Sequence, residues 1–113
     1  MNDCVFCKIG AGDIPSTMLH KDEDVYVIAD INPKAPTHLL IIPLEHVGAL
    51  TDDAPGRTAV LGRMVEVASE MAKQEGIASS GYRLIINQGP DSGQEVPHLH
   101  LHLLAGRRLG AMG

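Results

Sequence analysis

Histidines at positions 98, 100 and 102 alternate with Leu99, Leu101 and Leu103. In an extended strand successive side chains point to opposite faces, so the three imidazoles share one face and the leucines the other. The leucines fix the register, because a slip of one residue would exchange the two faces. A single histidine in a strand is more often a hydrogen-bonded packing residue than a catalyst, whereas three in register demand a chemical reading. They spread over roughly 13 Å of strand, too wide for one tetrahedral zinc ion. At most one or two of them ligate the same ion. Nucleophilic and electrostatic work on an extended anion, such as a chain of phosphates, fits the spread better.

Cys4 and Cys7 are the only cysteines. Their Cys-Val-Phe-Cys spacing, in a chain without a secretion signal, favours a metal or redox role over a structural disulfide. A thioredoxin-type pair sits inside a longer strand-and-helix pattern, and here the pair opens the chain, which weakens the redox reading.

The elements that must position these residues can be read from hydrophobic period and turn residues. The segment after the cysteines, as far as Ile14 and Pro15, predicts a short helical turn broken by Gly10, Gly12 and Pro15. Met18 to His20 and Val25 to Ala29 predict a hairpin around the Lys21 to Asp24 turn. Asn32 to Pro36 must be loop, because Pro33 and Pro36 deny backbone donors. Thr37 to Pro43 carries a nearly continuous apolar run suited to a central strand covered on both faces, with His38 at its start. Val60, Leu61, Met64, Val65, Ala68, Met71 and Ala72 recur at helical spacing, with Asp53 as cap, Pro55 in the first turn and Gly76 just past the end. Tyr82 to Asn87 and His98 to Leu104 complete the strands, separated by a turn-rich segment from Gln88 to Glu95. The expected fold is α+β, a mainly antiparallel sheet of about five strands with one long helix and a short N-terminal helix.

The 113 residues suit one domain over 1–113. Apolar residues make up 44% of the chain and aromatic ones only 3%, so the core must be aliphatic. A net charge of -5 without a run of like charges lacks the basic footprint that duplex nucleic acid requires. No window approaches the length of a membrane span. A cytoplasmic protein is expected, with no membrane and no nucleic-acid duplex as partner.

The His-x-His-x-His pattern at 98 to 102, followed by apolar residues, resembles the signature of the histidine triad (HIT) family. The resemblance extends to Asp30-Ile31-Asn32-Pro33, Ala35-Pro36-Thr37-His38, Ile42-Pro43 with His46, Gly81-Tyr82-Arg83 with Asn87, and Gly93-Gln94-Glu95-Val96. These segments are similar to the Hint branch and cover nearly the whole chain, from Cys4 to Gly106.

The resemblance implies a HIT-like fold and a nucleotide hydrolase or transferase that cleaves nucleoside 5'-phosphoramidates or related adenylated compounds. His100 would be the nucleophile, made so by a carbonyl that holds its other nitrogen in the proton-bearing form. His38 and His102 would flank the phosphate, and Asn87, Gly93 and Gln94 would lie beside it, Gly93 permitting a close backbone approach so that an amide there could donate, although alone it reads as a turn glycine. Glu95, next to Val96, stands where some relatives carry serine near the leaving group. Asp30 would accept from the ribose hydroxyls, although an isolated aspartate here reads as a turn residue. Val5, Phe6, Ile9, Ile14, Ile28 and Ile31 fall where the family builds its base pocket for a purine nucleotide, an adenosine or guanosine monophosphate moiety.

Several relatives bind a structural zinc ion through two cysteines and two histidines, with the first triad histidine on the metal. That implies Cys4, Cys7, His46 and His98 as ligands, and no metal required for catalysis. The branch forms homodimers through the long helix and a strand edge, for which the Tyr82 to Asn87 strand is the candidate. Two rival readings remain open: a dinucleoside polyphosphate hydrolase, and a nucleotide-binding interaction or regulatory protein whose hydrolysis is incidental. His20 receives no role.

Overall fold

The computed structural model describes residues 3–51 and 55–113. Five strands form one sheet in the order β1-β2-β3-β5-β4, every neighbouring pair antiparallel. They are β1 (His20–Lys21), β2 (Val25–Ala29), β3 (Thr37–Pro43), β4 (Tyr82–Ile85) and β5 (Leu101–Ala105). A short helix α1 (Val5–Gly10) and a long helix α2 (Arg57–Gln74) complete the α+β architecture expected from the sequence.

β3 is central, as its apolar run predicts, and all of it from His38 to Pro43 is buried. Its pleat sorts two cores. Leu39 and Ile41 pair with Leu103 and Leu101 of β5. Together with Val25 and Val27 they bury against Met64, Val67, Ala68, Met71 and Ala72 of α2. Leu40 and Ile42 point the other way, into a second cluster with Phe6, Ile9, Tyr26 and Ile28. Alternation of period two in the strands and a helical stripe in α2 therefore meet on one side, and α1 covers part of the other.

Local chemistry explains the ends of the elements. Asp22 Oδ1 accepts from the amides of Asp24 and Val25, an Asx turn that closes the hairpin. β1 is shorter and later than Met18 to His20, although the Leu19 amide still donates to the Val27 carbonyl. Gly56, at φ +81 with no side chain to cap, precedes α2. Pro55 therefore lies outside the helix, and the expected cap Asp53 falls outside the described residues. Gly76 at φ +73 follows the C-cap as predicted. Val65 is half exposed while Val67 is fully buried, because the stripe that meets the sheet is centred near Met64 and Ala68 rather than toward Val65.

The histidine strand is also shorter than the expected His98 to Leu104. The register that pairs Ile41 with Leu101 would set Pro43 against Leu99, and proline has no amide hydrogen for a ladder bond. Pairing stops at Leu101, and the Leu99 amide donates instead to the Val47 carbonyl at 2.6 Å. β4 ends at Ile85 rather than Asn87 and lies at the sheet edge. Among the described residues no helix is long and apolar enough to cross a membrane.

Candidate functional site

The registers place the chemistry. His38 and His102 lie on the same face as Leu40, and Ile85 of β4 pairs with His102, so Asn87, two residues on, continues that face. His100 and His98 follow His102 backwards in steps of two. His98 and His100 are buried like their leucine neighbours, although on the face opposite α2. Their cover is α1: Phe6 stands edge-on to His98 and to His100, with ring centroids 5.8 and 5.0 Å away. Tyr26 holds α1 there by donating from its hydroxyl to the Phe6 carbonyl at 2.6 Å. Burial pushes the Tyr26 phenol up, so it remains a donor. Gly10 permits the close approach, since a Cβ would meet Tyr26 at 3.0 Å and Leu44 at 3.1 Å. Sequence reasoning missed Tyr26, which gave no signal beyond an aromatic residue in a strand.

Hydrogen-bond direction assigns a proton to each triad ring. His100 Nδ1 lies 2.7 Å from the His98 carbonyl. A carbonyl only accepts, so Nδ1 carries the proton and Nε2 presents a lone pair. His98 is turned the opposite way: Nε2 donates to the Pro43 carbonyl at 2.9 Å, which leaves Nδ1 bare. The carbonyls of His98 and Pro43 lie where the ladder has stopped, so the proline that ends pairing also leaves acceptors for both rings. Burial lowers the pKa of His98, and His46 and His100 add to the effect against the Pro43 bond.

The bare His98 Nδ1 faces sulfur, 3.2 Å from Cys4 Sγ and 3.5 Å from Cys7 Sγ. His46 Nδ1 lies 3.3 Å from Cys7 Sγ. All four donor atoms fall within 4.8 Å of one another. In tetrahedral zinc coordination a sulfur and a nitrogen stand about 3.5 Å apart, close to these three sulfur–nitrogen distances, so the residues fit a zinc ion. The Pro43 carbonyl supplies the partner that a metal-bound histidine normally has on its far nitrogen.

On the other side of His100, the His38 Nε2 lies 2.9 Å from His102 Nδ1 and 3.4 Å from Asp30 Oδ2. His102 Nε2 and the Asn87 amide are 3.5 Å apart, too far for a strong hydrogen bond. Burial is the main cause that lowers both rings: it outweighs Asp30 at His38, and with the neighbouring His100 and His38 it brings His102 down to about 4. Asp30 Oδ1 accepts from the Asn32 amide at 2.8 Å. The turn role and a carboxylate oxygen turned toward His38 thus coexist in one side chain.

Several expected contact residues have partners or exposure of their own. The Gly93 amide donates to the Pro90 carbonyl at 3.0 Å inside a turn where the residue adopts φ +83, so it is already committed and the turn reading holds. Gln94 braces the same loop, accepting from the Gly89 amide and donating to the Val96 carbonyl. Ile31 is 92% exposed, and Val5 is also exposed, while Phe6, Ile9 and Ile28 pack together with Ile14 and Val96 beside them. Glu95 lines an open cleft of about 630 Å³ with Cys4, Val5, His46 and Pro97. His20, given no role from sequence, bonds Asp22 at 2.8 Å, and Asp22 also accepts from Arg63 of α2. That network ties the β1-β2 turn to the helix, away from the triad.

Residues 11–109 match the HIT domain family. The chain is 47% identical over 110 residues to a purine nucleoside phosphoramidase of Escherichia coli (strain K12), covering 97% of this chain and 92% of that protein. It is 46% identical over 107 residues to a 14 kDa zinc-binding protein of Zea mays, covering 93% and 83%. Among solved structures, a HIT family hydrolase from Legionella pneumophila Philadelphia 1 superposes with a TM-score of 0.91 at 42% identity, covering 96% of each chain. A triad ordered by its own strand, a family match over nearly the whole chain and relatives above 40% identity agree, and the chain belongs to the histidine triad, HIT, family.

Proposed function

We propose that this protein is a hydrolase of purine nucleoside 5'-phosphoramidates. The observation that carries this reading is the 2.7 Å contact from His100 Nδ1 to the His98 carbonyl, which leaves Nε2 as a nucleophile. Nε2 attacks the α-phosphorus, the phosphorus–nitrogen bond breaks, and the amine leaves with a proton. Water then attacks the nucleotidyl-histidine, the ring departs in its original Nδ1-protonated neutral form, the proton lost by water goes to solvent and balances the one that solvent gave the amine, and the nucleoside monophosphate is released. Similarity to a phosphoramidase over 97% of this chain supports the substrate class.

His102 and Asn87 would donate to the phosphate oxygens, and the Asp30 oxygen not held by the Asn32 amide would accept from the ribose. Phe6, Ile9 and Ile28 would form the apolar wall for the purine, with Ile31 at its rim. Glu95 would sit on the leaving-group side. Zinc on Cys4, Cys7, His46 and His98 would fasten α1 to the catalytic segment and take no part in the chemistry. A cytoplasmic homodimer joined in part along β4 completes the proposal, supported by the position of β4 at the sheet edge and the exposure of Tyr82 and Ile86.

The test is intact-protein mass spectrometry after quenching a reaction with adenosine 5'-phosphoramidate. An adenylyl adduct that maps to His100 and is lost in His100→Ala is expected. If wild-type protein forms no adduct and releases no monophosphate, the hydrolase reading fails.

A further inference from the structure

Two groups of donor atoms converge within 4.8 Å among the described residues: Cys4, Cys7, His46 and His98, and Asp30, His38 and His102. The second has the composition of a two-histidine, one-carboxylate metal site, but its hydrogen bonds point to another use. The Lys34 amide lies 3.0 Å from His38 Nδ1. An amide N–H only donates, so Nδ1 keeps its lone pair and the proton of the neutral ring sits on Nε2.

That proton points to His102 Nδ1 at 2.9 Å, with Asp30 Oδ2 at 3.4 Å. It occupies the place where a cation would have to lie. Two nitrogens on one tetrahedral ion would stand about 3.3 Å apart, wider than the hydrogen-bond distance found. Because His102 Nδ1 accepts, the His102 proton is on Nε2, the nitrogen nearer Asn87. Burial lowers the pKa of both rings, so their neutral forms apply at neutral pH.

The Lys34 peptide is held from its other side as well, where the Arg107 guanidinium donates to the Lys34 carbonyl at 2.9 Å. Just before it Gly106, at φ +100, lets the end of β5 lie against Pro36, since a Cβ there would come within 2.8 Å of the proline ring. The loop that carries Lys34 is therefore fixed against the same strand that carries His102.

We propose that the Lys34 peptide is a positioning group of the phosphate site: its N–H selects the Nε2-protonated form of His38, which selects the Nε2-protonated form of His102 and aims a neutral donor at the substrate. The last step rests on the phosphoramidase reading, and the first two do not. The cluster thus holds a proton in a fixed direction, in contrast to the cysteine cluster, where the bare His98 nitrogen faces the sulfurs.

Nitrogen-15 NMR of the full chain labelled at histidine, without nucleotide near pH 7.5, reads the protonated nitrogen of each ring directly. His38 and His102 are expected to carry the proton on Nε2 and His100 on Nδ1. A proton on Nδ1 of His38 or of His102 overturns the proposal. Replacing Lys34 by its α-hydroxy acid exchanges the N–H for an ester oxygen, which removes the donor and favours the opposite His38 tautomer. That protein should show the reversed His38 signature and lose about tenfold in kcat, with KM changed less. An unchanged His38 signature in the folded ester protein overturns the role of the Lys34 N–H, and the wild-type spectrum decides the tautomers even if the ester protein does not fold. The adduct on His100 is scored separately: wrong tautomers with an intact adduct sink only the positioning role, and a missing adduct sinks the hydrolase reading.

Discussion

The two faces of the sheet are made by the same strands, but one buries apolar side chains alone and the other sets histidines among its apolar cluster. Toward α2, β3 and β5 present Leu39, Ile41, Leu101 and Leu103, which need only volume and shape to pack. Toward α1 the same strands present His38 and His102, with His100 and His98 just ahead. His38, His98 and His100 are buried and His102 is half-buried, and burial makes each nitrogen require a partner. Among the described residues no buried side-chain polar atom lacks one. A core of leucines tolerates exchange among apolar residues, whereas a core of histidines is fixed by the direction of every donor and acceptor around it.

The sharpest way to separate the faces is to remove one residue from each. His100→Ala should reduce hydrolysis of adenosine 5'-phosphoramidate by at least about a thousandfold per folded molecule, well beyond what its lost packing against Phe6 does to the urea midpoint. A loss of tenfold or less in steady-state assays would mean that the chemistry lies elsewhere. Leu103→Ala, at a fully buried position of the other face, should destabilise the fold by about 2–5 kcal/mol. Below its unfolding transition the variant should retain nearly normal turnover per folded molecule. Loss of turnover without loss of stability would break the division of labour between the faces.

Acid should act on the histidine face. The unfolded chain protonates His102 near the ordinary histidine value of 6.5, and the folded chain only at about 4, because burial disfavours the charged ring. Between these values the unfolded state binds the extra proton, so stability falls as the pH drops through that window, by on the order of 3 kcal/mol. His38 shifts in the same direction. Urea midpoints at pH 7.5, 5.5 and 4.5 measure this, and the His102→Asn protein should show a shallower slope. An equal slope in both would remove His102 as its source.

The smallest expected effect concerns the cover over that face. Tyr26→Phe removes the hydroxyl that donates to the Phe6 carbonyl and should cost about 1–2 kcal/mol. Hydrogen exchange should quicken in α1 before it does in α2. Uniform quickening across the chain would show that α1 is not held separately by this bond.

Several elements could be read from residue pattern alone because they follow from local repetition. The limits of β3 at Thr37 and Pro43 match the expected ones, since an apolar run between proline-containing segments leaves little choice. The alternation at 98 to 103 fixed which side chains share a face. The face of α2 was placed slightly off, with Val65 in and Val67 out, because helical period gives a stripe but not the direction from which the sheet approaches. The partner of the Gly93 N–H is beyond local pattern for a similar reason: a glycine in a turn reveals its conformation and not what its amide meets.

The residues of the triad, the cysteine pair and the α+β order of elements were therefore determined by the sequence itself, through spacing that any extended or helical chain must obey. Which nitrogen of His98, His100 and His38 bears its proton was decided by the folded backbone around each ring, near in sequence for His100 and His38 and distant for His98. The selecting groups are the Pro43 carbonyl for His98, the His98 carbonyl for His100 and the Lys34 amide for His38. Pro43 is 55 residues away from the ring it orients, and no local pattern encodes such a contact. An imidazole presents a donor on one side and a lone pair on the other, and only the neighbour that folding brings to it settles which is which.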